Sequence, residues 1–171
     1  MKRLAKFFAP VLLLALFGCG YHVLGKETHL PEGVTSIAVA PTLNKTSEPE
    51  TESYLTQALI RQLKSDGRLR VEDKKNAAAI LRSELIGIVD RPLGYDRFGR
   101  ANLMQVIVTG RVYLISAESS KELWSSGILT ETEQHPVSDN TVSNHELQEL
   151  AMDQACQRMA KVAVDKLLSG F

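Results

Sequence analysis

The sequence predicts an α+β fold, a two-layer sandwich in which two amphipathic helices cover one face of a mostly antiparallel or mixed β-sheet. Three observations point to this class. Strand and helix patterns follow one another in the order strand, helix, two or three longer strands, helix. A sheet that is apolar on one face needs a cover, which the two helices would provide. The length of 171 residues favours a single domain.

The N-terminus has the pattern of a secretory signal. Lys2, Arg3 and Lys6 form a positively charged region. Residues 7–18 then form an uncharged run that is too short to span a bilayer and typical of a signal peptide. The letters LFGC at residues 16–19 resemble the bacterial lipobox, in which a signal peptidase cuts before the cysteine.

Cys19 is therefore the predicted lipidation site. The thiol would carry diacylglycerol and the new amino group an acyl chain such as palmitate, and several chains at about 0.8 kcal/mol per buried CH₂ make a firm anchor. The alternative is a secreted protein with a chance cysteine here. Gly20 stands where lipoproteins of the inner membrane commonly have Asp, which favours the periplasmic face of the outer membrane. We expect residues 1–18 to be removed, residues 19–33 to be a lipidated tether, and residues 34–171 to form one domain.

The first strand and the first helix follow the tether. Residues 34–41 are rich in β-branched residues and end in proline, which is typical of a short strand. A helical pattern follows, with Thr46 or Ser47 as the expected N-cap and Pro49 in the first turn. Residues 65–67 are expected to end it. The expected buried residues of this helix are Leu55, Ala58, Leu59 and Leu63.

Further strand patterns occupy the middle of the chain. A short strand is expected at residues 69–71. Residues 77–90 are ambiguous, because the alanines and the adjoining residues up to position 81 suit a helix or a strand, while the β-branched residues that follow favour a strand. Residues 104–116 alternate most regularly, and residues 123–132 follow after a polar turn. These last two segments are expected to form an antiparallel hairpin.

The last predicted element is a long amphipathic helix. Residues 136–144 are polar and predict a loop, in which Ser143 and Glu146 form a capping box at the helix start. Residues 169–170 are expected to end the helix. Its predicted apolar face consists of Leu147, Leu150, Ala151, Ala155, Met159, Val162, Ala163 and Leu167.

Charge and motif content argue against several classes of function. Basic and acidic residues both number 20, and removal of the three cations of the signal leaves 17 basic against 20 acidic residues. A chain of this balance has no bulk charge for phosphate polymers, so we expect no nucleic-acid partner. The sequence contains no G-x-S-x-G, H-E-x-x-H, P-loop or C-x-x-C motif, and we expect no catalytic residues and no enzyme activity.

Isolated reactive side chains have simple structural explanations. Glu131 and Glu133 alternate along a strand and are expected to be exposed, solubilising charge. Cys156 lies in the last helical pattern and is expected to be a small buried hydrophobic residue. The histidines are scattered and expected to be solvated in loops, so apart from the lipid we predict no metal and no cofactor. They are His22, His29, His135 and His145.

One cationic cluster is a candidate site. It lies in residues 91–100, which are expected to join two long strands, and two aromatic residues lie among its charges. Arginine side chains bind phosphate bidentately, and a loop at a sheet end can present several of them together. A solvated hairpin tip, a partner contact and a site for an anionic ligand all remain open. The charged residues are Arg91, Asp96, Arg97 and Arg100.

Several segments together resemble the LptE family of lipopolysaccharide (LPS) assembly lipoproteins. The letters CGYH at residues 19–22 follow the lipobox, and the types of residue at 30–31 and 36–39 agree. The pattern N-x-T-x-x-P-x-x-E occurs at residues 44–52 and leads into the first helix. Together with the final helix after two long strands, the resemblance covers nearly the whole mature chain.

The resemblance implies a fold, a partner and a ligand. Family members have two helices on a four-stranded sheet and sit as a plug inside the LptD β-barrel of the outer membrane, where they help deliver LPS to the outer leaflet without catalysis. Lipid A phosphates are anionic, which implies Arg97 and Arg100 as the LPS contact, with Arg91 behind them. Family members can carry a basic residue before the last helix, whereas residues 136–144 have none. The resemblance therefore supports LptD binding more strongly than direct LPS binding.

Other envelope lipoproteins share this α/β shape. Residues 38–59 also look like the corresponding part of CsgG-like secretion-pore subunits and of lipoproteins that activate peptidoglycan synthases. A pore subunit would form rings and carry added transmembrane hairpins, which we do not find in the sequence. An envelope lipoprotein that activates a peptidoglycan synthase, or serves a secretion system, is therefore the alternative function.

Overall fold

The computed structural model describes Leu30 and residues 34–169 of the chain. The predicted signal peptide at residues 1–18, the lipidation site Cys19 and nearly all of the tether lie outside the described residues. Within those residues, neither helix combines the length and the apolar character that a membrane crossing requires.

Six strands and two helices follow one another within residues 34–169. The strands are β1 (Ser36–Val39), β2 (Leu43–Asn44), β3 (Arg70–Val71), β4 (Ala79–Tyr95), β5 (Ala101–Ser116) and β6 (Glu122–Pro136). The helices are α1 (Thr51–Asp66), between β2 and β3, and α2 (Thr141–Ser169), after β6. The predicted order of elements is confirmed.

All six strands belong to one mixed sheet with the order β3-β1-β4-β5-β6, and β2 pairs with β4. The pairs β1–β3, β1–β4 and β2–β4 are parallel, and the two pairs among β4, β5 and β6 are antiparallel. The expected number of four strands is therefore wrong for the described residues. The two-residue strands β2 and β3 account for the difference, because each satisfies its backbone groups along a neighbouring strand.

The ambiguous segment at residues 77–90 belongs to a strand from Ala79 onward. Ala79 pairs with Ile37 of β1 on one side and with Ser116 of β5 on the other. Because this segment is paired with a neighbouring strand on each side, tertiary pairing overrides the helix propensity of alanine. The predicted antiparallel hairpin at 104–116 and 123–132 is confirmed by β5 and β6.

Both helices pack against one face of the sheet and enclose a single core. The predicted buried residues of α1 are all buried, and its C-terminal stop is Gly67, with φ 74°. Gly110 of β5 lies where α2 crosses the sheet. A Cβ added there would come within 2.7 Å of the Glu84 carbonyl oxygen and 3.1 Å of the Met159 sulfur. The absence of a side chain at Gly110 therefore permits the close approach of α2.

The start of α1 differs from the prediction. The helix begins at Thr51, and its N-cap is Glu50, with φ 66° and no side-chain capping hydrogen bond. Neither Thr46 nor Ser47 caps the helix, and Pro49 precedes it instead of lying in its first turn.

The loop before α1 is organised by Asn44, which explains why Thr46 does not cap. The Asn44 amide nitrogen donates to the Glu48 carbonyl oxygen at 2.7 Å and to the Glu52 carboxylate at 2.8 Å. The Asn44 side-chain oxygen accepts hydrogen bonds from the backbone nitrogen and the hydroxyl of Thr46. Three residues of the N-x-T-x-x-P-x-x-E pattern thus hold this loop together.

The start of α2 also differs from the prediction. The helix begins at Thr141, so the loop is shorter than expected, and the side-chain oxygen of Asn140 accepts a hydrogen bond from the backbone nitrogen of Val142 at 2.9 Å. The predicted capping box is wrong because Ser143 already lies inside the helix. The buried face of α2 is centred on pairs such as 151–152 and 155–156, which leaves the predicted core residue Leu150 at its margin, 53% exposed.

Candidate functional site

The predicted arginine segment is mostly strand, and the turn itself is short. β4 continues to Tyr95, which pairs with Ala101 of β5. The expectation that residues 91–100 form the connection is therefore wrong for its first half, because Arg91 still pairs with Gln105 in the sheet. We call residues 95–100 the hairpin tip.

Asp96 fixes the conformation of the hairpin tip. One carboxylate oxygen accepts hydrogen bonds from the backbone nitrogens of Phe98 at 2.8 Å and Arg100 at 3.0 Å, and the other accepts one from the Arg100 guanidinium at 2.9 Å. The backbone amide of Arg100 is the main reason that the pKa of Asp96 lies below its usual value. Gly99, with φ 77°, completes the turn. The hairpin tip is therefore ordered by local hydrogen bonds.

Two of the three predicted arginines meet at an aromatic ring. The guanidinium carbon of Arg97 lies 4.7 Å and that of Arg100 lies 5.8 Å from the centre of the Phe98 ring. The Phe98 side chain is itself exposed, as is Tyr95, at 68% and 62% respectively. This arrangement places two cations beside exposed apolar surface.

The third arginine does not join this pair. Arg91 lies further back on the sheet, and its guanidinium donates two hydrogen bonds to the Gln105 side-chain oxygen, at 3.1 and 2.9 Å. The role of Arg91 as a contact for LPS stays a prediction.

A cleft of about 360 Å³ adjoins the hairpin tip. It lies between the strands that lead to the tip and the first turns of α2. Apolar and polar side chains both line it, which suits an amphiphilic ligand better than a purely polar one. The residues that line it are Asp90, Ala101, Met104, His135, Val137, Thr141, Asn144, His145 and Gln148.

The floor of this cleft contains a histidine that was expected to be solvated. His135 belongs to β6 and is only 5% exposed, so that expectation is wrong. One ring nitrogen lies 3.2 Å from a carboxylate oxygen of Asp90 and the other 3.3 Å from the Pro136 carbonyl oxygen. The alternation of Glu131, Glu133 and His135 along one strand was the signal that could have placed all three on the side facing α2.

The remaining reactive residues are structural. Arg158 of α2 pairs with both Glu131 and Glu133, which share one side of β6 as predicted but are partly buried beneath this arginine. Cys156 is fully buried as predicted, and burial raises the pKa of its thiol to about 12. His145 is exposed as expected, but it lies in the first turns of α2 and not in a loop.

Metal ligands were expected to be absent. In residues 34–169 and Leu30, no three His, Cys, Asp or Glu side chains are placed to share a metal ion. His22 and His29 lie outside the described residues.

The solved structures that are similar to this chain support the fold. A lipoprotein from Caulobacter crescentus matches with a TM-score of 0.57 and 18% identity, covering 81% of this chain and 95% of its own. The rare lipoprotein B from Shewanella oneidensis matches with a TM-score of 0.53 and 14% identity, covering 75% and 94% respectively. The hypothetical protein CT253 from Chlamydia trachomatis gives 0.52 and 11%, with 80% and 96% covered. No curated protein sequence matches this chain.

Fold and site together define a class: a two-layer α+β domain that presents cations and exposed aromatic rings at one end of a long hairpin. The sequence identifies the family, which the fold alone does not. Residues 34–169 match the model of the family described as "LptE: Lipopolysaccharide-assembly". This match covers most of the chain, so the protein belongs to the LptE family, as the resemblance predicted.

Proposed function

We propose that this protein is an outer-membrane lipoprotein that acts as plug and assembly partner of the LptD β-barrel in the transport of LPS to the outer leaflet. Membership in the LptE family supports the process and the partner. The observation that supports LPS as the ligand is the pair of guanidinium groups, of Arg97 and Arg100, on the exposed ring of Phe98. The role is one of binding and assembly, without a catalytic residue.

The chemistry of the hairpin tip suits the phosphates of lipid A. Within the described residues, Arg97 has no carboxylate within ion-pair distance, whereas Arg100 is paired with Asp96. One guanidinium is thus open to a phosphate, and the second is held in place beside it. Exposed Tyr95 and Phe98 offer apolar surface to the acyl or sugar part of the same molecule. Arg91 would extend the cationic surface along the sheet.

The length of the sheet is suited to a domain that reaches from the periplasmic leaflet to the outer leaflet. At one end of the sheet, Ile37 of β1 pairs with Ala79, the first residue of β4. At the other end, the hairpin tip begins at Tyr95, the last residue of β4. A strand of 17 residues spans roughly 50 Å, which is comparable with the ~40–45 Å thickness of a bilayer with its headgroups. A lipid on Cys19 in the periplasmic leaflet and an upright domain would bring the tip to the level of the outer-leaflet phosphates.

Recovery of the partner tests this function directly. The full chain, tagged at its C-terminus, is purified from its own membranes in mild detergent. We expect LptD in near-equal amount, because a plug occupies one barrel. Recovery of a peptidoglycan synthase instead of LptD would support the alternative function, and recovery of neither would contradict the proposal.

A Cys19→Ala variant in the same experiment tests the anchor. We expect loss of lipid labelling, because the thiol is the proposed attachment atom. Labelling that persists in this variant would contradict the lipidation site while leaving the partner experiment interpretable.

A further inference from the structure

The sheet has a second face that the two helices do not cover. On β5, residues such as Val106 and Val108 point into the core, so the alternating residues Ile107, Thr109 and Arg111 point to the opposite side. We call this side the open face. Cross-strand partners share a face, which extends it onto β4 and β6.

The half of the open face near the chain entry is charged, and several of its charged groups pair with each other. Glu84 accepts a hydrogen bond from the Lys45 ammonium at 2.9 Å and one from the Tyr113 hydroxyl at 3.3 Å, and it lies 3.5 Å from the Arg111 guanidinium. Arg111 in turn stacks on the Tyr113 ring at 4.7 Å. These four groups are paired with each other, and the exposed Arg82 lies beside them on the same face, opposite Tyr113.

The middle of the open face, between these charged groups and Arg91 near the hairpin tip, is different, because its side chains are uncharged. Two rows cross the three long strands here: one pairs Ile107 with Val89 and Thr132, and the other pairs Thr109 with Thr130. We call these residues, together with the adjacent Ile128, the uncharged band. Val89 and Ile128 are 54% and 62% exposed.

We infer that the uncharged band is the surface that docks against the inner wall of the LptD barrel. This inference rests on the proposed function, since it takes the barrel as the partner. A barrel of this kind presents polar side chains to its lumen. The three threonine hydroxyls can donate to and accept from such side chains, and the band carries no charge that would need a buried counter-ion. Two sheets can also pack face to face at about 10 Å.

The size of the band favours an enclosing partner over a second copy of this chain. Three strands about 4.8 Å apart and about five residues at 3.3 Å each give roughly 240 Å². A stable pairwise interface needs about 800 Å² from each partner. The band alone is too small for a dimer, but it suffices as one of several contacts for a domain surrounded by a barrel.

Photo-crosslinking in the full, lipidated chain tests the inference. A benzoylphenylalanine is placed at Val89 or Ile128 in the band, and at Ser119 as control, an exposed residue of the β5–β6 turn at the other end of the sheet. LptD is co-expressed. We expect crosslinks to LptD from the two band positions at ten times the yield of the control or more. Equal yields, or a crosslink between two copies of this chain, would overturn the assignment.

A charge introduced into the band gives a second readout. Thr130→Arg is expected to lower the recovered LptD at least tenfold relative to Ser119→Arg, with both variants folded by circular dichroism. Unchanged recovery for Thr130→Arg would overturn the docking face. If the wild-type chain recovers no LptD at all, the proposed function fails instead, so the two failures are distinguishable.

Discussion

The core between the two helices and the sheet differs from the hairpin tip in what holds its residues in place. In that core, Leu55 and Leu59 of α1 are fully buried. At the tip, Phe98 and Tyr95 are mostly exposed, and order comes from hydrogen bonds to the carboxylate of Asp96. Burial therefore stabilises one region, and local geometry shapes the other. If the proposed function is right, the difference teaches that stability and recognition lie at separate places, so substitutions should affect them separately.

The largest effect on stability is expected from a substitution in the core between the helices and the sheet. Leu59→Ala removes a fully buried side chain from α1 and leaves a cavity in the core. We expect the free energy of unfolding to fall by about 2–5 kcal/mol in urea titrations. The hairpin tip is distant from this site, so the folded variant should bind LPS as the wild type does. A loss of LPS affinity in the folded variant would contradict the idea that the core and the hairpin tip act independently.

A smaller effect is expected from the charged half of the open face. The hydrogen bond from Lys45 is the main cause of a pKa of Glu84 below its ordinary value of 4.5. A carboxylate with a lowered folded-state pKa stabilises the fold above its unfolded value, and this contribution is lost as the pH falls through the folded value. Because Lys45 is half exposed, we expect no more than about 1 kcal/mol.

Urea titrations at pH 7 and pH 3 measure this contribution. Glu84→Gln should lose less stability on acidification than the wild type, because the titrating group is gone. Glu118→Gln, on the exposed β5–β6 turn, is the matched control and should behave as the wild type does. An identical pH dependence for Glu84→Gln and the wild type would show that the Lys45 contact does not contribute.

Much of the fold could be predicted because it depends on periodicity. The alternation of residues 104–116 and the helical spacing of Leu55, Ala58, Leu59 and Leu63 both record burial, which the structure confirms. The family resemblance also followed from local patterns such as Asn44 and Thr46. Arg97 and Arg100 could be placed together because they lie three positions apart in one turn.

Other features could not be predicted because they depend on contacts distant in sequence. The strand at Ala79 is decided by pairing with Ile37 and Ser116, not by its own propensity. The cap of α1 was mistaken for a local reason: Thr46 is bonded to Asn44, two residues away, and the helix begins only at Thr51. The buried position of His135 depends on Asp90, 45 residues away, and on the cover provided by α2. The cleft beside the tip joins elements that only the fold brings together.

The most direct measurement compares LPS binding by two double variants of the full chain in detergent. The first is Arg97→Ala with Arg100→Ala at the hairpin tip. The second is Lys74→Ala with Lys75→Ala, which removes the same charge from an exposed loop before β4. The free energy of unfolding should change by less than about 0.5 kcal/mol in either, since the side chains are exposed. We expect the tip variant to bind LPS at least tenfold more weakly and the lysine variant to bind it like the wild type. Equal affinities for LPS in all three proteins would contradict the account.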